Sequence, residues 1–325
     1  MLLSSIGAPM KKFKGVALVS VLLLVSVLGL ILTNTSTIFI DDLSHENQLE
    51  FNLLGQVIFK DLSAQFLAEN IPLLRSSSKN INQQLINSLN LNEYRHESLT
   101  ATFTIHDLSN CFNINAIFDE NLSSLNPINI SYFRNLLLLK GLDGNHINAL
   151  IDQMIDWVDL DDYPREYGLE NYYYVSPARS YPRYTSKRLF VSKYELLNLP
   201  AAHDTFSKFE DVVCAIPNSN DFSLNVNTLD VEQIDLLLAL IEDPNRELIE
   251  EIIINSPLDG YASKQAFIEL INASLMANGI DIISTESKFF TIEGLLSDGT
   301  QQSTYAVDIR LDAINLELLD YRRLL

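Results

Sequence analysis

The polarity pattern opens on one long apolar run. Residues 16–32 read VALVSVLLLVSVLGLIL, directly after Lys11, Lys12, Lys14 and Gly15. At 1.5 Å per residue the run is about 25 Å long and no charge follows before Asp41, so it predicts a helix able to cross the ~30 Å hydrocarbon layer of a bilayer. Three lysines before it, and Asp41, Asp42 and Glu46 after it, predict a cytoplasmic N-terminus with the rest of the chain outside. The helical pattern then continues. Leu54, Ile58, Leu62 and Phe66 recur every four residues beside Leu49, Leu53 and Val57, as on one packed face of an amphipathic helix. Ile71 precedes Pro72 and is pushed from the α region, which sets the expected end near Asn70.

Beyond this helix the periodicity changes twice. A short helical stretch over 81–91 leads to strict alternation over 98–106, with Leu99, Ala101, Phe103 and Ile105 on one face of a strand. Helical patterns follow at 128–140, 145–158, 193–198, 229–243, 244–255 and 264–277. Ser192 with Glu195 predicts a capping box, Pro244 a first helical position, and Gly141 and Gly279 helix C-termini. Strands return at 289–296, 302–311 and 316–323, joined by Asp298-Gly299 and Asp312-Ala313 as in a meander. The pattern predicts an α+β fold: a long N-terminal transmembrane and amphipathic helix, and an antiparallel sheet interrupted by a large all-α insertion. The divisions are 1–15, a helix over 16–70 with 16–40 in the membrane, 71–110, an insertion over 111–282, and closing strands over 283–325.

Charge and composition narrow the function. The net charge of −20 becomes −23 if the first fifteen residues, with their three lysines, are removed, which argues against a nucleic-acid or anionic-lipid surface. The segment 139–144 has the look of a helix-hairpin-helix, but Asp143, Asp152 and Asp156 would repel a phosphate backbone, so no nucleic acid is expected. The five histidines are scattered without ligand spacing and no GxSxG, HExxH or P-loop occurs, so the chain reads as a non-enzyme.

Three features carry candidate chemistry. Between Asp156 and Glu170 stand Asp156, Asp159, Asp161, Asp162, Glu166 and Glu170 against one Arg165. Carboxylates this crowded either stay solvated or share a cation. Asp159, Asp161 and Glu170 fall at positions one, three and twelve of an EF-hand loop, but Tyr163 and Pro164 break that template at positions five and six. Cys111 and Cys214 form a disulfide if this part of the chain lies in an oxidising compartment, and otherwise are two buried thiols. Phe112-Asn113-Ile114-Asn115 is echoed by Leu224-Asn225-Val226-Asn227: either two similar loop-to-helix junctions or two copies of one small helical unit.

Basic residues, a Gly, and an apolar helix that runs on as an amphipathic one resemble the N-terminus of type IV prepilins. The resemblance implies a leader over 1–15, cut by prepilin peptidase between Gly15 and Val16, with methylation of the new terminus; Met10 would open a short leader, MKKFKG. Ser20 stands at the fifth mature position, where most of the family carries a Glu that neutralises a neighbour's α-amino group. A subunit at the filament tip has no neighbour above it, and a buried unpaired carboxylate is costly. The strings DLSNCFNINAI, LIDQMIDWVDLDDYPREYGLENYYY, VSKYELLNL and DFSLNVNTL resemble successive blocks of the K-type minor pseudopilins of type II secretion systems.

That resemblance implies a pilin-like sheet and a role at the tip of the periplasmic pseudopilus, in its assembly and in protein export across the outer membrane. It further implies a single-pass inner-membrane protein whose partners are the other minor pseudopilins of the tip complex and prepilin peptidase. It also implies structural calcium in the acidic loop, a metal that hard oxygen donors suit. The expected ligands are Asp159, Asp161 and Glu170 first, then Asp156, Asp162 and Asn171, with Tyr172, Tyr173 and Tyr174 packed beneath. The alternative is a membrane-anchored extracytoplasmic binding module unrelated to filaments, which would not need cleavage at Gly15.

Overall fold

The computed structural model describes residues 14–77, 80–89, 93–97, 99–119, 122, 124–177, 182–271, 274–276, 279–312 and 315–324; between 14 and 50 it describes side chains only at 19, 21–27 and 29. The expected leader lies outside these residues except for Lys14 and Gly15, and the side chains of Val16 and Ser20 lie outside them too. The chain divides into two compact units, 1–55 and 56–325. Helix α1, Lys14–Ser76, supplies the described part of the first. There Val19, Leu22, Leu23, Leu24 and Val25 are all exposed. Among the described residues no helix is long and apolar enough to cross a membrane.

In the second unit α1 lies on a sheet. The sheet has the order β1-β2-β7-β8-β9, every neighbour antiparallel. Its strands are β1 (Glu93–His96), β2 (Leu99–Asp107), β7 (Phe289–Ser297), β8 (Gln302–Leu311) and β9 (Leu316–Leu324). β2 alternates as its sequence predicts: Ala101, Phe103 and Ile105 are buried, whereas Thr102, Thr104 and His106 are exposed. These residues join Phe59, Leu62, Phe66 and Leu67 of α1 and Tyr305, Val307 and Ile309 of β8 in one core. The expected end of α1 near Asn70 is corrected: the helix continues to Ser76 with Pro72 inside it. Proline costs a helix about 3 kcal/mol, and the added turn offsets this by burying Leu74, 1% exposed, whose side chain contributes about 1.5–3 kcal/mol.

Everything between 108 and 288 is spliced between the neighbouring strands β2 and β7. It has its own apolar core, from Phe112 to Ile283. The insertion is not purely helical, because two short parallel pairings punctuate it: β3 (Phe112–Asn113) with β4 (Val213–Cys214), and β5 (Leu224–Asn225) with β6 (Ile283–Ser284). Its helices are α3 (Pro127–Leu139), α4 (Gly144–Val158), α5 (Asn171–Tyr174), α6 (Pro200–His203), α7 (Ile234–Leu238), α8 (Arg246–Ile254), α9 (Lys264–Ile271) and α10 (Gly279–Ile282); α2 (Gln83–Leu89) precedes the sheet. Gly141 follows α3 at φ +78°, the left-handed conformation a helix C-terminus favours.

Several expected ends move. Helix α8 starts at Arg246 and not at the expected Pro244, and Asn245 caps it, accepting a hydrogen bond from Leu248 N–H at 3.2 Å. The capping box belongs to Asp230 and Gln233, while Ser192 accepts from Tyr194 N–H and Glu195 reaches back to Val191 N–H. Gly279 opens α10 and does not close α9. The helix expected over 229–243 contracts to a 3-10 turn, Val231–Gln233, and α7.

The echo between the two Asn motifs is a repeated structure. In the first copy Asn113 accepts from Asn115 N–H, and the Asn115 amide grips both backbone groups of Phe190, accepting from N–H and donating to C=O at 2.8 Å each. In the second, Asn225 accepts from Asn227 N–H, and the Asn227 amide grips both backbone groups of Tyr261 at 2.7 and 3.1 Å. Each copy runs from strand and Asn turn through a helix pair to a gripped aromatic with a Ser-Lys helix start, and closes on a parallel strand. An interior amide with both ends satisfied is a strong specifier of backbone position.

Candidate metal centre

The first copy carries a long segment, 159–189, between α4 and the gripped Phe190, and here the acidic residues gather. Asp156 sits on the last turn of α4 and Asp159 is its C-cap. Glu170 stands just ahead of α5. Asp156, Asp159 and Glu170 each offer a carboxylate oxygen, all within 4.8 Å of one another, the one grouping of this kind among the described residues. Asp156 is fully buried and Glu170 is 1% exposed. Asp156 accepts the Arg165 N–H at 3.1 and 3.3 Å. Gly168 makes that arrangement possible, since a Cβ there would come 1.9 Å from Asp156 Oδ2.

The other expected ligands lie around this trio. Asp161 spends an oxygen on the turn, accepting from Tyr163 N–H at 2.8 Å. Asp162 is largely exposed and accepts from Asn171 Nδ2 at 3.2 Å. Asn171 turns its carbonyl oxygen to Thr185, accepting from N–H and Oγ1–H at 2.9 and 3.0 Å. Of the three tyrosines, Tyr174 packs edge-on against Trp157, with ring centroids 5.0 Å apart, whereas Tyr172 is exposed.

Lys187, which the sequence did not single out, reaches into the same place. Its Nζ lies 3.0 Å from Glu170 Oε2, 3.5 Å from Asp162 Oδ1 and 3.8 Å from Asp159 Oδ1, and it donates to the Asp161 carbonyl. One ammonium among so many oxygens leaves demand unmet: Asp159 Oδ1 and Glu170 Oε1 are buried and accept no hydrogen bond. The electrostatics agree. Burial, joined by the charges of Glu170 and Asp159, pushes the Asp156 carboxyl up to about 7. Burial with Asp161 and Glu170 pushes Asp159 up to about 6. Burial also raises Glu170, against the opposing pull of Lys187.

The donor set therefore fits a divalent cation. Two orphaned carboxylate oxygens and a third buried carboxylate are hard ligands, with no His or Cys among them, as calcium prefers. Calcium takes six to eight oxygens, so main-chain carbonyls and water would complete the shell. A cleft of about 340 Å³ lined by Leu122, Leu125, Ile155, Asp159, Leu160, Asp161 and Arg165 gives Asp159 a route to solvent.

Cys111 and Cys214 form a disulfide that ties the start of β3 to the end of β4. The equivalent positions of the second copy are Ser223 and Ser284.

Residues 110–218, which span this first copy, match the family model for type II secretion system (T2SS) protein K. The chain is 26% identical to type II secretion system protein K of Aeromonas hydrophila, covering 85% of this chain and 86% of that one. It is likewise 26% identical to the protein K of Pectobacterium carotovorum subsp. carotovorum, over 86% and 87%, and 23% identical to a putative protein K of Escherichia coli K12, over 78% of each. Its fold resembles a chain in the crystal structure of the GspK-GspI-GspJ complex of the enterotoxigenic Escherichia coli type 2 secretion system. That match has a TM-score of 0.69 and 18% identity, covering 86% of this chain and 99% of that one.

Proposed function

We infer that this chain belongs to the type II secretion system protein K family and works as a minor pseudopilin in that envelope-spanning machinery. The observation that carries this reading is the extent of the match: relatives of that name align with it over five sixths or more of both chains. The function is assembly and not catalysis. Partners would be other minor pseudopilins of a tip complex; the structurally similar chain was crystallised in a GspK-GspI-GspJ complex.

The residues suggest how such a subunit works. The apolar run over 16–32 would anchor the chain in the inner membrane after prepilin peptidase cleaves between Gly15 and Val16, and the new terminus would be methylated. From Gln56 on, the helix serves as the spine of the periplasmic part: Phe59, Leu62, Phe66 and Leu67 fasten it to the sheet. The insertion between β2 and β7 adds a second core that a stacking neighbour would have to clear, which suits a tip position. Ser20 suits it too, since a Glu there would lack an α-amino partner. Calcium in the Asp156, Asp159 and Glu170 group would be structural, holding the segment 159–189 in one arrangement.

N-terminal sequencing of the mature protein tests the reading: it should begin at Val16 and retain the apolar helix. A mature start beyond Leu32 would mean an ordinary signal peptide and end the pseudopilin account. For the tip position, Ser20→Glu should bring no gain in assembly, and a large gain in incorporation along the filament would remove it from the tip.

A further inference from the structure

Lys187 sits where a metal ion would be needed. Its ammonium stands among Glu170, Asp162, Asp159 and the Asp161 carbonyl, so it takes the cation's place with one charge where the carboxylates call for two. Its backbone is committed to this task. Lys187 holds φ +49°, a conformation L side chains rarely adopt, and its N–H is fixed to the Trp157 carbonyl at 3.1 Å, at the end of α4. Ser186 reinforces the anchor by donating from Oγ to the same carbonyl at 2.9 Å. The side chain itself is not locked in. It is 23% exposed, and its four-carbon stem lets the ammonium swing to solvent without moving the backbone.

We propose that Lys187 is a tethered substitute cation: it holds the acidic segment together when metal is absent and is displaced from Glu170 and Asp159 when calcium binds. This rests on the calcium reading above. The two cations exclude each other, because a divalent ion touching Glu170 and Asp159 would lie within a few ångströms of the ammonium, where like charges in a partly buried site repel strongly. The exchange has two consequences. The metal-free protein keeps its fold, since an ordered ion pair replaces bare carboxylate repulsion. Calcium must also expel a bound charge before it enters, so the segment converts at a higher calcium concentration than the carboxylates alone would set.

Calorimetric titration of calcium into the metal-stripped full chain in detergent, wild type against Lys187→Met, tests this. Lys187→Met should bind calcium at least tenfold more tightly, melt at a lower temperature without metal, and gain more from calcium than the wild type does. Calcium binding to the wild type with an equal or weaker affinity in Lys187→Met would overturn the substitute-cation role while leaving the metal site standing. No binding to either protein would overturn both. A second measurement needs no variant: acetylation of the wild-type protein, read by peptide mass spectrometry, should label Lys187 several-fold faster with calcium than with chelator. Equal or slower labelling with calcium would show that the ammonium stays in place and overturn the proposal.

Discussion

The two copies inside the insertion share a frame and differ in one connection. In the second, α8 ends at Ile254 and residues 255–260 lead straight to the gripped Tyr261. In the first, α4 ends at Val158 and residues 159–189 intervene before the gripped Phe190. The longer connection sends Tyr174 into the core but leaves Leu160, Tyr163, Tyr172 and Tyr184 more than 60% exposed. A segment of that length with so few buried apolar side chains gains little burial to offset its conformational entropy. The first copy supplies the remedy in other forms, a disulfide where the second has two serines and a group of buried carboxylates suited to a cation. Insertion length and cross-linking go together.

The largest expected effect lies with the disulfide. Changing both Cys111 and Cys214 to Ser should lower unfolding free energy by up to about 4.7 kcal/mol, the chain-entropy limit for a closed loop of about 100 residues. The loss should be confined to the first copy, seen as faster hydrogen exchange over 112–216 than over 224–284. Uniform loss would mean that the copies unfold as one.

Next come the gripping amides. Asn115→Ala and Asn227→Ala should each cost about 2–5 kcal/mol in urea unfolding, because each leaves a buried backbone N–H and C=O without partners. Near-equal costs support the equivalence of the copies. A cost under about 0.5 kcal/mol at one of them would break it.

The acidic segment also gives a response to pH. Asp156 and Asp159 titrate near 7 and 6 in the folded protein, above their ordinary value of 3.8, chiefly through burial. Between those limits the metal-free folded state holds more protons than the unfolded one. This contribution to stability is therefore complete below about pH 4 and is lost as pH rises through 6 to 7. Calcium needs the ionised carboxylates, so its stabilising effect should fade as pH drops through the same window. Melting curves of Asp156→Asn with Asp159→Asn should lose this pH trend; an unaltered trend would assign it to groups outside the acidic segment.

Much of the frame is legible in the sequence. Alternation at Ala101, Phe103 and Ile105 gave β2, and the closing meander followed from its Asp-Gly turn, because half-buried strands write their faces in the sequence. β1 escaped because four residues carry too little pattern. The end of α1 was misplaced because a local rule at Ile71-Pro72 was overridden by the burial of Leu74. Within the site, crowding marked the acidic segment, but not which carboxylates converge. Asp161 was expected as a ligand from EF-hand spacing and Asn171 from the resemblance, and each turns an oxygen to a local hydrogen bond. Lys187 lies seventeen residues beyond Glu170, and only the fold brings it back.

The most direct measurement is hydrogen exchange of the full chain, metal-stripped and calcium-loaded, compared between the two connections. The account predicts that calcium slows exchange over 156–189 and leaves 255–260 as it was, with the difference shrinking in Glu170→Gln. Identical exchange over 156–189 with calcium and with chelator would contradict it.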